Sequence, residues 1–557
     1  MKIGRVNFLL LLFFIFSTII VFRLVFLQII GYQYWRALAQ GQQKSFVFLQ
    51  EERGEIFFQG GEKLATNQEV NLLYASPLEI KDIEKTAEEL SLILNLEKDI
   101  ILEKLKKNSY YEVIKKKLSS EEVEKLKQLK LNGIYLSKEK IRYYPFETMA
   151  CHALGFVGGD GNGQYGIEGF YNDILKGEDK VLEKEIGPGG FLEKNFKIPE
   201  KGANLILTLD YNIQFFAEKL LEKAKENLNI EEGEIIVLDP NSGKIFALAN
   251  FPVFNPNEYS KIENLEIFQN SSIQKVFEPG SVFKPITMAA ALDVGKITPQ
   301  TSYVDKGFVE VSGHKISNYA SRVWGEKTMT EVLEKSINTG AIFAQQQIGK
   351  EVFLDYLNRF GIFQATGIDL QGENFSENKE FKKGYEVNFA TASFGQGIEM
   401  TSIQLARAIS AIANGGKLIR PYIVDKIVKN DKIVETKTEV QNPAVISKNT
   451  ASQLTLMLIS VIEKGYGKEA KIPGYYIAGK TGTAQVPFTS LKINKRGYSD
   501  KTIQSFIGFA PAFDPKFLIL VKLYNPQAKT AEYSATPIFK ELAKYIIDLW
   551  EIPPDYE

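Results

Sequence analysis

The chain has 557 residues, 44% of them hydrophobic and 24% charged, a balance that fits folded globular modules and excludes a low-complexity or disordered protein. Its formal net charge of -1 argues against nucleic acid as a partner, because nucleic acid demands a basic face. The single cysteine, Cys151, excludes an internal disulfide and a cysteine-based zinc site, and reads as a small buried apolar residue.

At the N-terminus, only Ser17 and Thr18 are polar between Phe8 and Phe22, and the apolar pattern resumes from Leu24 to Ile30 after Arg23. At about 1.5 Å per residue, Val6 to Ile30 is long enough to cross a bilayer core of roughly 30 Å. Lys2 and Arg5 precede it, so the positive-inside rule places the N-terminus in the cytoplasm and everything after about residue 31 outside. Ala37-Leu38-Ala39 imitates a signal-peptidase site, but it lies far beyond Phe22, and the length of the apolar stretch favours an uncleaved anchor. Arg23 can snorkel, and Tyr32, Tyr34 and Trp35 suit the outer headgroup belt.

The length exceeds one hydrophobic core, so two or more modules are expected after the anchor. Residues 45 to 75 alternate in a way that predicts strands. Asp82 to Leu131 is rich in Lys and Glu with apolar residues at helical spacing, and Ser119-x-x-Glu122 forms a candidate capping box, with Gly133 just past that helix. The charge runs there read as solvated helix faces. Residues 141 to 200 are glycine-rich and read as turns between short strands, and Pro188-Gly189-Gly190 and Pro199 to Gly202 mark a boundary. Beyond Ala203, strand-like runs such as Glu234 to Leu238 alternate with helical ones such as Ile403 to Ala413, until a Pro553-Pro554 tail.

Chemistry enters with Ser281-Val282-Phe283-Lys284, set in Glu278-Pro279-Gly280-Ser281-Val282-Phe283-Lys284-Pro285. Serine is a poor nucleophile until a neighbouring base takes its proton. The two histidines, His152 and His314, lie outside every motif, which leaves lysine as the base, provided burial and nearby positive charge lower its pKa. Residues i and i+3 share a helix face, so Lys284 reaches Ser281 Oγ if a helix starts at about Gly280; Pro285 then falls in the first turn, where a missing N–H costs least. Downstream, Ser336-Ile337-Asn338 supplies a hydroxyl suited to relaying a proton between Lys284 and a leaving amine, and an amide suited to a peptide carbonyl. Lys480-Thr481-Gly482-Thr483 follows the β-like run Tyr475-Tyr476-Ile477-Ala478 and reads as a strand edging a cleft. Gly482 leaves no side chain in the way of a substrate, while Lys480, Thr481 and Thr483 suit a carboxylate. The Thr483 and Ser281 N–H groups are the candidate oxyanion hole. Each motif alone is weak, and helix-start or hairpin-edge readings would explain each; the three in order are specific.

These motifs resemble those of the class B penicillin-binding proteins, monofunctional peptidoglycan transpeptidases. The resemblance extends over nearly the whole chain, through Arg53-Gly54-Glu55-Ile56, Arg142-Tyr143-Tyr144-Pro145, Gly166-Ile167-Glu168-Gly169, Val237-Leu238-Asp239-Pro240, Phe394-Gly395-Gln396-Gly397 and Ser505 to Pro511. One departure is Phe58-Gln59, where the family usually carries an Asp-Arg pair.

The resemblance implies an α+β architecture. Residues 1–7 would be a cytoplasmic tail, 8–30 the anchor, 31–200 an elongated α+β pedestal of the dimerisation type, and 201–550 a transpeptidase domain. That domain would hold a five-stranded antiparallel sheet packed by helices on both faces, beside an all-helical lobe. It further implies two-step acyl transfer: Ser281 attacks the penultimate D-alanyl carbonyl of a stem peptide, terminal D-alanine leaves, and an amine of a neighbouring strand takes the acyl group. Lys284, Ser336 and Asn338 would serve this chemistry, and Lys480 to Thr483 the substrate. No metal or organic cofactor is needed. β-Lactams would acylate the same serine, and a multi-spanning glycosyltransferase with other division or elongation proteins would be the partners. Phe277 to Ser281 and Ser505 to Pro511 favour the division-type branch. A β-lactam-hydrolysing enzyme, a β-lactam sensor and a non-catalytic scaffold are the alternatives.

Overall fold

The computed structural model describes residues 2–26, 44–49, 52–177, 180–187, 190–192, 201–495 and 497–557. Tyr32, Tyr34, Trp35, Ala37-Leu38-Ala39, Pro188, Gly189 and Pro199 lie outside the described residues. Two compact units are present: residues 1–53 with 176–202, and residues 54–175 with 203–557. In the first, helix α1 (Lys2–Val25) carries the apolar run, with exposed side chains from Asn7 onward. Strands Lys44–Leu49, Lys180–Gly187 and Gly190–Leu192 form a separate antiparallel sheet.

The second unit begins with β1 (Ile56–Phe57) and β2 (Lys63–Ala75). Helices α2 (Ile83–Leu94) and α3 (Lys98–Leu105), strand β3 (Glu112–Leu118), helix α4 (Ser120–Leu129) and strand β4 (Ile134–Tyr143) follow. The Ser119–Glu122 capping box starts α4 as expected. Its left-handed end is Lys130, however, and Gly133 lies in the turn into β4. β3 is a strand inside a segment whose apolar spacing predicts helix. Ile114 and Leu118 are four apart, a separation that also puts two strand residues on one face, and both pack into the small core with Leu90, Ile101 and Leu126. Between Cys151 and Leu175 the glycine-rich stretch forms three short helices as well as the short strands read from its sequence.

Beyond residue 203 the unit continues with β5 (Asn204–Leu207), helix α5 (Tyr211–Leu228), β6 (Glu232–Leu238) and β7 (Ile245–Phe251). Then come α6 (Lys284–Asp293), α7 (Met329–Glu334), α8 (Asn338–Arg359) and α9 (Ser402–Ala413). The chain continues through β8 (Val424–Lys429), β9 (Lys432–Glu435), α10 (Lys448–Lys464), β10 (Ala478–Pro487), β11 (Tyr498–Ala510), β12 (Phe517–Tyr524) and α11 (Ala535–Leu549). Five strands make an antiparallel sheet in the order β7-β6-β12-β11-β10. Its central strands are apolar without alternation because both faces are covered. Ile235, Val237, Phe506 and Ile519 pack on α5 and α11, whereas Ile236, Leu238, Ile507 and Leu520 pack into the core that contains α6 and α9.

The boundary region near residue 200 is bridged by backbone pairing. β5 pairs in parallel with β1 and antiparallel with β8, so one sheet runs β9-β8-β5-β1-β2-β3, with β4 also on β2. Phe58, at the family's usual Asp-Arg position, is fully buried against the Phe146 and Tyr211 rings, with centroids 5.9 and 5.6 Å away.

Candidate active site

The turn that carries Ser281 is a tight one. Gly280–Phe283 is a single 3-10 turn, and the α-helix begins only at Lys284, with Pro285 in its first turn. The i,i+3 relation survives this change because a 3-10 turn nearly eclipses those two residues. Two glycines make room for it. Gly280 has φ +62° and lies so close to Gly395 that a Cβ on Gly395 would sit 2.2 Å from the Gly280 carbonyl oxygen. β10 is the sheet edge, and a Cβ on Gly482 would meet Ser505 Oγ at 2.6 Å, Val282 Cγ1 at 2.9 Å and the Pro279 carbonyl at 3.3 Å. The strand itself starts at Ala478, three residues later than the Tyr475 start read from the sequence.

Lys284 and Ser281 meet as expected, at 3.0 Å between Nζ and Oγ. Lys284 Nζ also lies 2.6 Å from the Ser336 carbonyl, 2.8 Å from Asn338 Oδ1 and 3.1 Å from Ser336 Oγ. Its ammonium is wholly buried, and burial, followed by the nearby Lys480 charge, holds its pKa well below the ordinary lysine value. Lys480 is also buried, which lowers it to about 7, and its Nζ is 3.1 Å from Ser336 Oγ and 3.0 Å from the Thr481 carbonyl. Ser336 therefore stands between two lysines. It joins α7 to α8 with φ +52°, a strained value for a residue with a Cβ, and this turn directs its carbonyl and hydroxyl to the same amine.

The hydrogen-bond partners around Lys284 accommodate a neutral amine. A neutral amine has two N–H donors and one lone pair. The Ser336 carbonyl and Asn338 Oδ1 can only accept, so in a neutral amine they take both N–H groups, which leaves the lone pair for a hydroxyl, that of Ser281 at 3.0 Å or that of Ser336 at 3.1 Å. Asn338 Nδ2 meanwhile donates to the Ser317 carbonyl at 3.3 Å.

A cavity of about 760 Å3 opens onto Ser281, Ser336, Asn338, Thr481 and Thr483. Lys284 and Lys480 lie behind this lining. The Thr483 hydroxyl accepts from the Ala531 N–H at 3.2 Å, which ties the β10 edge to the chain before α11. Behind the second motif, buried Asp305 accepts from the Thr339 hydroxyl, Asn318 Nδ2 and the Gly307 and Trp324 N–H groups. The sequence carries no signal for this cluster, because its members are scattered single polar residues. His152 accompanies Cys151 in the buried core, where desolvation lowers it to about 4; its Nε2 lies 2.9 Å from the Ile267 carbonyl, far from any role as a base here.

Three ordered motifs converging on one serine, on an antiparallel sheet edge, agree with the comparisons. Residues 233–544 match the penicillin binding protein transpeptidase domain, and residues 49–207 match the penicillin-binding protein dimerisation domain. The chain belongs to the class B penicillin-binding proteins. It is 33% identical to stage V sporulation protein D of Bacillus subtilis, over 94% of this chain and 83% of that protein. It is 32% identical to a probable peptidoglycan D,D-transpeptidase, PbpC, of Pseudomonas aeruginosa, over 98% and 95% of the two chains. A peptidoglycan synthetase of Bifidobacterium adolescentis superposes with a TM-score of 0.73 at 25% identity, covering 92% of this penicillin-binding protein and 98% of the other chain.

Proposed function

We propose that this penicillin-binding protein is a peptidoglycan D,D-transpeptidase that works through a Ser281 acyl-enzyme. The observation that carries the reading is the buried Lys284 Nζ 3.0 Å from Ser281 Oγ, with its pKa held well below the ordinary lysine value. Lys284 takes the hydroxyl proton as Oγ bonds to the D-alanyl carbonyl carbon. The developing oxyanion faces the Thr483 N–H and the Ser281 N–H, which no intrahelical carbonyl can reach at the start of a turn. The proton passes from Lys284 through Ser336 Oγ to the leaving amine, the C–N bond breaks, and D-alanine departs. An amine of a second stem peptide then attacks the ester and returns its proton by the same route, which restores Ser281. Thr481 and Thr483 would meet the terminal carboxylate directly, with the Lys480 charge behind them. A β-lactam presents the same carbonyl and would leave a stable ester.

Residues 8–30 are read as a single-pass anchor with the N-terminus inside, residues 31–200 as the pedestal and 201–550 as the catalytic domain. One helix among the described residues is long and apolar enough to cross a membrane, and with the module that follows it offers surface to a multi-spanning glycosyltransferase both in and above the membrane. Ser281→Ala should abolish covalent labelling by a fluorescent penicillin and leave the far-ultraviolet circular dichroism intact. Full labelling of that variant at another serine would overturn the assignment.

A further inference from the structure

The cleft extends past Ser281 onto a cationic shoulder that the acyl transfer just described leaves unused. Arg322, Lys335 and Lys529 line it against a single acid, Glu532. Among the described residues, Arg142, Arg359 and Arg420 each pair with a carboxylate at 2.6 to 2.7 Å, and Arg322 pairs with none. Its guanidinium instead donates to the Tyr466 hydroxyl and lies 6.0 Å from the centroids of both the Tyr319 and Tyr466 rings. The backbone that carries it is strained, because Ala320 and Ser321 are consecutive non-glycine residues with φ of 52° and 54°. The strained turn is held by Asn318, which is itself fixed by Asp305 and by Thr339, the residue after the second motif. Asn318 Nδ2 donates to the Arg322 carbonyl at 3.1 Å and to Asp305, and Asn318 Oδ1 accepts from the Thr339 N–H at 3.1 Å.

We propose that Arg322 binds a free carboxylate of the acyl-donor peptide, upstream of the carbonyl that Ser281 attacks, and so makes the enzyme prefer acidic over amidated donors. This rests on the transpeptidase reading of the site. A guanidinium held by two rings and a neutral hydroxyl keeps its charge uncompensated and its planar fork ready for a bidentate acceptor. Lys335 and Lys529 raise the local potential for an anion. The donor is the substrate that stays bonded to Ser281 until the acceptor arrives, so its upstream groups remain in this cavity through both steps.

The test is competition for Ser281 in the full-length protein, read by fluorescent penicillin labelling. The competitors are L-Ala-γ-D-Glu-L-Lys-D-Ala-D-Ala with the glutamyl α-carboxyl free or amidated; no acceptor is present, so any discrimination belongs to the donor. The free acid should protect at about tenfold lower concentration, the size of one charged hydrogen bond. Arg322→Gln should bring the two peptides together by weakening the free acid, and Arg322→Lys should restore part of the difference. A wild type that labels but shows no preference would overturn the proposal. So would an Arg322→Gln variant that keeps the preference, or that weakens both peptides equally as a purely structural residue would. Failure of the wild type to label at all would instead count against the transpeptidase reading.

Discussion

Lys284 has its pKa held well below the ordinary lysine value by two features of its surroundings, complete burial and then the neighbouring Lys480 charge. The sign of the pH dependence follows. Acylation by penicillin should climb on the acid side as Lys284 loses its proton. It should then fall as pH rises past about 7, where Lys480 gives up the charge that draws the carboxylate. A second-order acylation rate that rises without a break to the ordinary lysine pKa of about 10.4 would remove Lys284 from the base role. Lys284→Arg keeps the charge but stays protonated, so the rate should drop by about two to four orders of magnitude and the acid limb should vanish. Ser281, Lys284, Ser336 and Lys480 are legible from the chain because their spacing is chemical. Asp305 is not, because a lone aspartate carries no sign that Thr339, Asn318 and Trp324 will fold around it.

Elements meet at this site through missing side chains. The Ser281 turn and β10 approach so closely that Gly482 has Val282 and the Pro279 carbonyl within 3.3 Å of where a Cβ would be. Gly482→Ala should cost about 1–3 kcal/mol of stability through overpacking. It should lower acylation more than tenfold, since a shift of about 1 Å at the nucleophile is enough to do so. Thermal melting and penicillin labelling measure the two effects, and a variant that labels at the wild-type rate would show that the approach is slack. β10 was readable as a cleft edge from its glycine and its following threonine. β3 was not, since Ile114 and Leu118 satisfy helix and strand spacing equally and only the packing against α2, α3 and α4 decides between them.

For the whole molecule, the decisive feature is the sheet that runs from β9 through β5 and β1 to β3, joining residues on either side of position 200 by backbone hydrogen bonds. Phe58 lies just beyond β1, fully buried. Phe58→Ala should destabilise the protein by about 3–5 kcal/mol, the usual cost of emptying a core aromatic site, with a lowered melting temperature as the readout. A change near zero would place Phe58 outside the core. The membrane topology has its own check. Cys151 is buried and its thiol is pushed up by desolvation, so the native protein offers little background to thiol reagents. Lys432→Cys, at the exposed start of β9, should react with a membrane-impermeant maleimide in intact spheroplasts; reaction only after lysis would reverse the orientation.

Sequence by itself determined the apolar N-terminal helix, the three motifs and the α+β class, because each is written in local spacing: a run long enough for a bilayer, a serine and a lysine three apart, a strand with a glycine at its edge. Tertiary structure decided the rest. It replaced an α-helical start at Gly280 with a 3-10 turn, tied β1 to β5 across the boundary region, and built the Asp305 cluster and the strained Arg322 loop. Those features depend on residues far apart in the chain finding one another. A buried polar group must be paired wherever its partners come from, and no local pattern records which partners those will be.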